Sequence, residues 1–459
     1  MTAAPDRHPE RSADPARRAG PARAVAAQVL ERVETDAAFA DLALDAELRR
    51  RPLAPRDVAL ATELVYGTLR WQRYLDWILA PHSRRRLPTL DPRVRVLLRM
   101  TAYQITFLER VPAFAAVNDA VTLARRAPGV AGYVNAVLRA FARRGAAERE
   151  PPVPRDPVDA LATRCSFPTW LAGRWLARYG AGEAEALMRA LNARPPLTVR
   201  TNTLRTSREQ LAARLAAEER VPTRATPLAP EGLVVEDGGD PGGWRAFVEG
   251  ACVVQDEASM LVARLLEPAA GTTIADVCAA PGTKTTHLAQ LMGDRGRVLA
   301  FDPQPGRLAR VAEAAARLGV TIAETVAGPV EALAPRWAGG CDGVLVDAPC
   351  SNLGVLRRNP EVKWRRQPAD LAAAGERQRS ILTAAAMLVR PGGRLVYATC
   401  SLEPEENDEV VRTFLAAHPA FAAEPPAAWP VAPDAAGFVR CLPHRHGTDG
   451  FTAIRFRRA

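Results

Sequence analysis

Two cysteines in this 459-residue chain each follow a short apolar run closely, at the kind of position where an open α/β sheet exposes reactive side chains. Gly343-Val344-Leu345-Val346 leads into Asp347-Ala348-Pro349-Cys350, and Leu395-Val396-Tyr397-Ala398 leads into Thr399-Cys400-Ser401. A third stretch shares the pattern. Ile274 and Val277 lead into Cys278-Ala279-Ala280-Pro281-Gly282-Thr283-Lys284, after which His287, Leu288, Leu291 and Met292 repeat at helical spacing. A strand, a tight turn and a helix start present backbone N–H groups and a positive dipole end to a ligand. Three strand ends of this kind share one crevice in a parallel sheet, and ligands bind there.

The nature of that ligand is narrowed by what the turn lacks. A Walker A loop needs Gly and Lys adjacent, but Thr283 separates Gly282 from Lys284. The dinucleotide GxGxxG pattern is also missing. Asp302 ends the next apolar run, where an acidic side chain can hydrogen-bond ribose hydroxyls. Backbone donors without a polyphosphate cradle suit a nucleoside that carries a carboxylate, such as S-adenosylmethionine. One compositional fact draws attention to Lys284. Of 61 basic residues only Lys284 and Lys363 are lysine, so a compact ammonium was kept at these two places in a chain otherwise given to arginine.

The elements that must position these residues follow from periodicity and punctuation. Residues 1–20 are rich in Pro, Ala and Arg, without apolar periodicity, and read as a disordered basic lead-in. Residues 21–147 read as helices: Val25, Val29, Leu30 and Val33 mark one face, Leu60, Leu64, Val65 and Leu69 another, with prolines at the connections. Tyr66, Arg70, Trp71, Arg73 and Tyr74 are more readily core aromatics and solvated arginines than RNA contacts. Glu148 to Pro157 is a proline-stiffened linker, and 155–255 reads as a small α+β subdomain with Ser207 capping a helix. From 256 to 459 strands and helices alternate, which predicts an α/β domain with a parallel sheet. Asp449-Gly450 marks a turn in an antiparallel tail.

In these motifs the chain resembles the RNA cytosine-C5 methyltransferases. Asp276 to Thr285, Asp347-Ala348-Pro349-Cys350-Ser351, Lys363-Trp364 and Tyr397-Ala398-Thr399-Cys400-Ser401 carry the likeness. Within that group it resembles the bacterial 16S ribosomal RNA methyltransferase B (Sun/Fmu) family. Glu63 to Arg70 and Val134 to Arg139 are similar to that family's NusB-like RNA-binding domain, and Val254 to Ser259 to its entry into the catalytic domain. The resemblance implies a Rossmann-like methyltransferase domain preceded by an all-α NusB-like domain, with S-adenosylmethionine as cofactor. It implies binding by Cys278, Ala279, Ala280, Pro281, Gly282, Thr283, Lys284, Asp302 and Asp347. The position of each cysteine on a strand-end turn does not rank them; the resemblance assigns Cys400 as nucleophile and Cys350 to proton removal or release, with Asp347 bonding base or cofactor. Two thiols suit the reaction, because cytosine C5 becomes nucleophilic only after a thiolate adds at C6.

Two departures stand out. Thr283 replaces the family's usual Gly, where a positive φ would resist a β-branched residue. Val326-Ala327-Gly328-Pro329 lacks the usual Gly-Asp pair, so either Glu324 or Glu331 compensates or the cofactor is held more weakly. Arg357 to Arg366 is a basic run suited to RNA phosphates, with Trp364 stacking a base or packing on the core. Cys165, Cys252, Cys341 and Cys441 read as inert buried thiols, and Cys441, His444 and His446 do not make a metal site. Net charge of +10 favours a polyanionic partner, 16S ribosomal RNA or an early small-subunit assembly intermediate. No membrane-spanning run, signal peptide or disulfide framework is evident, which points to the cytoplasm, and nothing indicates an obligate protein partner. The alternatives are another RNA cytosine as target, in tRNA or elsewhere in rRNA, or a non-catalytic RNA-binding assembly factor.

Overall fold

The computed structural model describes residues 20–125, 129–145 and 150–459. Most of the expected lead-in and the first residues of the linker lie outside this range. The chain forms two compact units, one reaching to Asn192 and including Asn359–Arg365, the other comprising Ala193–Arg358 and Arg366–Ala459.

The first unit is helical: α1 (Pro21–Thr35), α2 (Ala40–Arg50), α3 (Pro55–Arg70), α4 (Gln72–Leu79), α5 (Pro92–Phe107), α6 (Ala113–Ala124), α7 (Val130–Ala142), α8 (Pro157–Arg164) and α9 (Thr169–Asn192). Proline opens α1, α3, α5 and α8, where its fixed φ suits the first turn and its missing N–H costs nothing. Val25, Val29, Leu64, Val65, Leu98 and Leu138 fill the core, so the periodic faces point inward as expected. Helices α8 and α9, the latter broken at Gly180, fall within the 155–255 stretch read as the α+β subdomain but cluster with this unit. Trp71 stacks on Phe107 at 4.9 Å, and Arg73 donates to Thr163 Oγ1, the Phe167 carbonyl and Asp159, so these residues hold the unit together.

Residues 359–365 correct the reading of the basic run. Lys363 is buried and donates to the Arg70 carbonyl at 2.9 Å and Asn192 Oδ1 at 2.8 Å, with its ammonium 4.0 Å from the Phe167 ring centre. Burial pulls its pKa well below the ordinary lysine value, with the Arg70 charge adding to the effect. Trp364 Nε1 donates to the Leu69 carbonyl, and Arg365 donates to the carbonyls of Val33, Ala37 and Ala38. The donors that looked available for phosphate are satisfied by backbone carbonyls, and Trp364 packs within the helical unit.

The second unit begins with an antiparallel sheet of order β2-β3-β1-β4, from β1 (Leu197–Thr201), β2 (Thr223–Ala225), β3 (Gly232–Val235) and β4 (Cys252–Val254). Helix α10 (Arg208–Arg214) crosses it, opened by a capping box between Ser207 and Gln210. The larger sheet has β5 (Thr273–Asp276), β6 (Arg297–Asp302), β7 (Ala323–Ala327), β8 (Cys341–Asp347), β9 (Val389–Thr399), β10 (Phe421–Ala423), β11 (Val439–Cys441) and β12 (Phe451–Arg458). Its order is β10-β12-β9-β8-β5-β6-β7, with β11 pairing with β12. The five strands from β5 to β9 are parallel, whereas β12 runs antiparallel to β9, so the sheet is mixed. Val344, Leu345 and Val346 are fully buried, as a central strand covered on both faces requires. Each such side chain contributes about 1.5–3 kcal/mol by leaving water. Helices α11 (Glu257–Leu265), α12 (Thr283–Leu291), α13 (Pro305–Leu318), α14 (Pro368–Leu388) and α15 (Asp408–Ala417) pack around the sheet. The chain goes from β5 to β6 on one side and later to β8 on the other, so β5 lies at the switch point of the sheet.

Candidate active site at the strand ends

The carboxyl ends of β5, β6, β8 and β9 carry every residue proposed from the sequence for catalysis or cofactor binding. The turn Cys278–Lys284 follows β5, Asp302 closes β6, Asp347 closes β8 with Cys350 three residues on, and Cys400 follows β9 directly. Gly282, at φ +103°, is the left-handed residue that admits α12, and a Cβ there would lie 3.0 Å from Val311 Cα. Thr283 lies inside α12 and has no positive φ, so the strain expected from replacing glycine does not arise. Among the described residues the N–H groups of Thr283, Lys284 and Thr285 meet no acceptor, so the helix start remains open to a carboxylate.

Charge is concentrated around this turn. Lys284 Nζ lies 2.5 Å from Asp347 Oδ2 and 5.2 Å from the Phe451 ring centre, tying the β5 turn to the end of β8. Asp276 is completely buried and accepts from Thr285 Oγ1 at 2.8 Å; burial, with Asp347 adding to it, pushes its carboxyl up to about 6. Burial also raises the Cys278 thiol well above its usual value, helped by Asp276, Asp347, Asp302 and Glu331. Four acids acting on one turn suit a ligand with a positive centre. Glu331 is therefore the acid that acts on the turn at the altered Gly328-Pro329 stretch, whereas Glu324 is turned to Arg297 at 2.6 Å.

The two cysteines come together. Cys350 Sγ and Cys400 Sγ are 3.2 Å apart, although 50 residues separate them. The Cys400 contact, then burial, then Glu406 hold the Cys350 thiol well above its ordinary value. Each cysteine is followed by a serine, and both serines meet Glu406. Its Oε1 accepts from Ser351 N–H at 2.7 Å and Gln378 Nε2 at 3.1 Å; its Oε2 accepts from Ser351 Oγ at 2.5 Å and from Ser401 Oγ. On the backbone side, Gly354 N–H donates to the Cys400 carbonyl at 2.9 Å and Gly450 N–H to the Gly354 carbonyl at 2.9 Å. The chains approach so closely that a Cβ at Gly354 would meet Gly450 and lie 2.8 Å from the Cys400 carbonyl oxygen.

Several of these residues escaped the sequence reading. Glu406 lay in an acidic run with no chemical pattern of its own. Arg200, fully buried on β1, donates to the Thr283 carbonyl at 2.7 Å, Thr286 Oγ1 at 3.0 Å and Gln255, and so holds the first turn of α12. Burial lowers its pKa to about 9, which leaves it charged at neutral pH. Arg357 and Arg358 do not face an RNA channel: both pair with Asp449 and Asp256. Cys165, Cys252, Cys341 and Cys441 are buried, and burial raises their thiols to about 11, 11, 12 and 12. His446 Nδ1 accepts from Leu442 N–H at 2.8 Å and belongs to a turn.

Residues 263–457 match the family model for 16S rRNA methyltransferase RsmB/F, residues 20–143 that of the NusB family, and residues 167–240 the RsmF/B-like ferredoxin-like domain. A probable ribosomal RNA small subunit methyltransferase B from Bacillus subtilis is 38% identical over 95% of this chain and 98% of that protein. The chain belongs to the RsmB/F family of rRNA methyltransferases. Ribosomal RNA small subunit methyltransferase B of Pseudomonas putida is 37% identical over 86% of this chain and 89% of its own length. The crystal structure of PH0851 aligns with a TM-score of 0.82 at 28% identity, covering 96% of this chain and 99% of that one. The structure of NSun6 from Pyrococcus horikoshii with SFG aligns at 0.58 and 26% identity, over 64% of this chain and 98% of that one. The chain is thus an S-adenosylmethionine-dependent methyltransferase with ribosomal RNA as substrate, and its residues fit that cofactor. The open α12 start and Lys284 suit its carboxylate, Asp302 its ribose, and the surrounding acids its sulfonium. No helix among the described residues is long and apolar enough to cross a membrane.

Two outcomes follow from this geometry. Asp276 has a raised folded pKa, so ionising it on folding costs stability that is absent below about pH 4 and is felt in full above about pH 6. Asp276→Asn does not titrate. Its stability relative to wild type should rise by about 2 kcal/mol between pH 4 and pH 7 in urea titrations, and an unchanged gap refutes the assignment. Glu406→Ala removes the acceptor shared by Ser351 N–H, Gln378 Nε2 and the Ser351 and Ser401 hydroxyls and leaves these buried donors stranded. Unfolding should become easier by about 2–4 kcal/mol, and methyl transfer should fall at least about tenfold with cofactor affinity retained. Calorimetric titration and single-turnover transfer check both parts.

Proposed function

We propose that this enzyme methylates C5 of a cytosine in 16S ribosomal RNA through a covalent Cys400 adduct, on naked RNA or an early small-subunit assembly intermediate. The observation that carries the reading is the pair of thiols 3.2 Å apart at the ends of neighbouring strands, alongside the β5 turn. An RNA methyltransferase that acts on oxygen or on an exocyclic nitrogen has no need of such a pair.

The target cytosine is flipped out of its stack into the crevice. Cys400 thiolate adds to C6, and the C5–C6 electron pair becomes that of an enamine. Asp347, held by Lys284, accepts from the exocyclic amino group of the base and orients the ring for attack. The bound cofactor supplies an electrophilic methyl group on a sulfonium, and C5 attacks it. Cys350, protonated at rest, passes its proton to the Cys400 sulfur as that sulfur leaves C6. The thiolate so formed takes the C5 proton, whose bonding pair restores the ring double bond. The NusB-like unit supplies RNA binding outside the catalytic crevice.

The test is methyl transfer from labelled S-adenosylmethionine to unmodified 16S RNA, with the product read as 5-methylcytosine by nucleoside mass spectrometry. Cys400→Ala should lose at least about a thousandfold in rate. Cys350→Ala should accumulate a covalent RNA adduct that survives denaturing electrophoresis. If Cys350→Ala is the adduct-free variant and Cys400→Ala traps RNA, the roles are reversed. A wild type that binds RNA but transfers nothing replaces the enzyme reading with that of an assembly factor.

A further inference from the structure

Asn352 stands between the two thiols. Its Oδ1 lies 3.0 Å from Cys400 Sγ and 3.6 Å from Cys350 Sγ, and its backbone N–H bonds the Cys350 sulfur. The residue has φ +64° and ψ +22°, the left-handed region that glycine and asparagine adopt most readily. Backbone geometry alone would be met by glycine, so the amide needs a separate reason. Its Nδ2 has no partner among the described residues, so turning the amide over about its last torsion breaks no Nδ2 bond and exchanges the Oδ1 acceptor facing the sulfurs for an N–H donor.

We propose that Asn352 is a thiol-positioning residue that serves both protonation states of Cys400, accepting from the thiol through Oδ1 and donating to the thiolate through Nδ2. The two bonds are unequal. An S–H donor is weak, whereas N–H to a sulfur anion is charge-assisted, so the amide favours the thiolate overall. It also fixes the direction of the Cys400 sulfur, whose other side-chain partner among the described residues is the Cys350 sulfur. Among the described residues, Glu406 and the Tyr397 hydroxyl act on or lie beside Cys350, and Asp347, paired with Lys284 of α12, closes β8 three residues before it. Glu406 raises Cys350 rather than assisting ionisation, so no neighbouring acid does what the amide does.

This inference rests on Cys400 as nucleophile, and its test can fail independently of that assignment. Iodoacetamide labelling, with Cys400 and Cys350 peptides read separately by mass spectrometry, needs neither RNA nor cofactor. Asn352→Gly keeps the left-handed backbone and removes only the amide. The midpoint pH of Cys400 labelling should rise by about one unit, making labelling about tenfold slower at pH 7. Asn352→Asp, which places a like charge beside the thiolate, should raise it further. For Asn352→Gly, kcat should fall about tenfold at pH 7 and recover towards pH 9, with KM for RNA and cofactor unchanged. A wild-type labelling profile in Asn352→Gly overturns the proposal and leaves Asn352 as a turn residue. A lowered midpoint also overturns it, because the amide would then be holding the thiol protonated. A raised midpoint with unchanged methyl transfer supports the amide's effect and counts against Cys400 as nucleophile.

Discussion

A single buried carboxyl group, Glu406, holds the two cysteine turns in register. Both turns leave parallel neighbouring strands, and sheet geometry alone brings strand axes to about 4.8 Å without orienting the loops beyond them. Glu406 accepts from the backbone and hydroxyl after Cys350 and from the hydroxyl after Cys400, so neither turn can rotate without stranding a buried donor. Its own position is fixed in turn. Tyr397, in β9, donates its hydroxyl to the Glu406 carbonyl at 2.6 Å, and Asn407 spans Thr399, Ser401 and Glu403. An unsatisfied buried charge costs more than a paired one gains, so the polar cluster acts through specificity of geometry more than through net stability.

The cofactor side is built on a different balance. The turn after β5 is crowded with acids, which add to burial in raising Asp276 and Cys278, and Lys284 stands in direct contact with Asp347. Self-repulsion of that kind is a cost borne by the protein alone and relieved by a ligand that brings a positive centre. Behind the turn, Arg200 reaches from the smaller sheet to the first turn of α12. The smaller sheet therefore holds the first turn of α12 in place, and with it the turn that follows β5.

What the sequence disclosed follows the range of the interactions. The strand-end turns, Asp302, the alternation of elements and the antiparallel tail were legible, because local periodicity and turn chemistry specify them. The proximity of the two thiols to within van der Waals contact was not, nor were Glu406, Arg200 and Asn352, because these roles arise between segments 50 or more residues apart or, for Asn352, from the meeting of two such segments. The basic run shows the limit most clearly. As a string, Arg357 to Arg366 reads as a phosphate-binding surface, but Arg357 and Arg358 are claimed by Asp256 and Asp449, and Lys363, Trp364 and Arg365 by backbone carbonyls. Charge density in sequence becomes free charge in structure only where no buried acceptor lies within reach.

Those arginine pairs carry the constraint on to the end of the chain. Asp449 is almost completely buried and receives both Arg357 and Arg358, which fastens the Asp449-Gly450 turn before β12. Gly450 then donates to Gly354, and Gly354 to the Cys400 carbonyl, so the turn sets the height of the loop that carries Cys350 relative to the one that carries Cys400. Neither glycine tolerates a side chain there, because the backbones already touch. The antiparallel β12 hairpin is thus part of the site although it supplies no reacting group. Pairing β12 against β9 and closing the thiol pair are two consequences of the same packing.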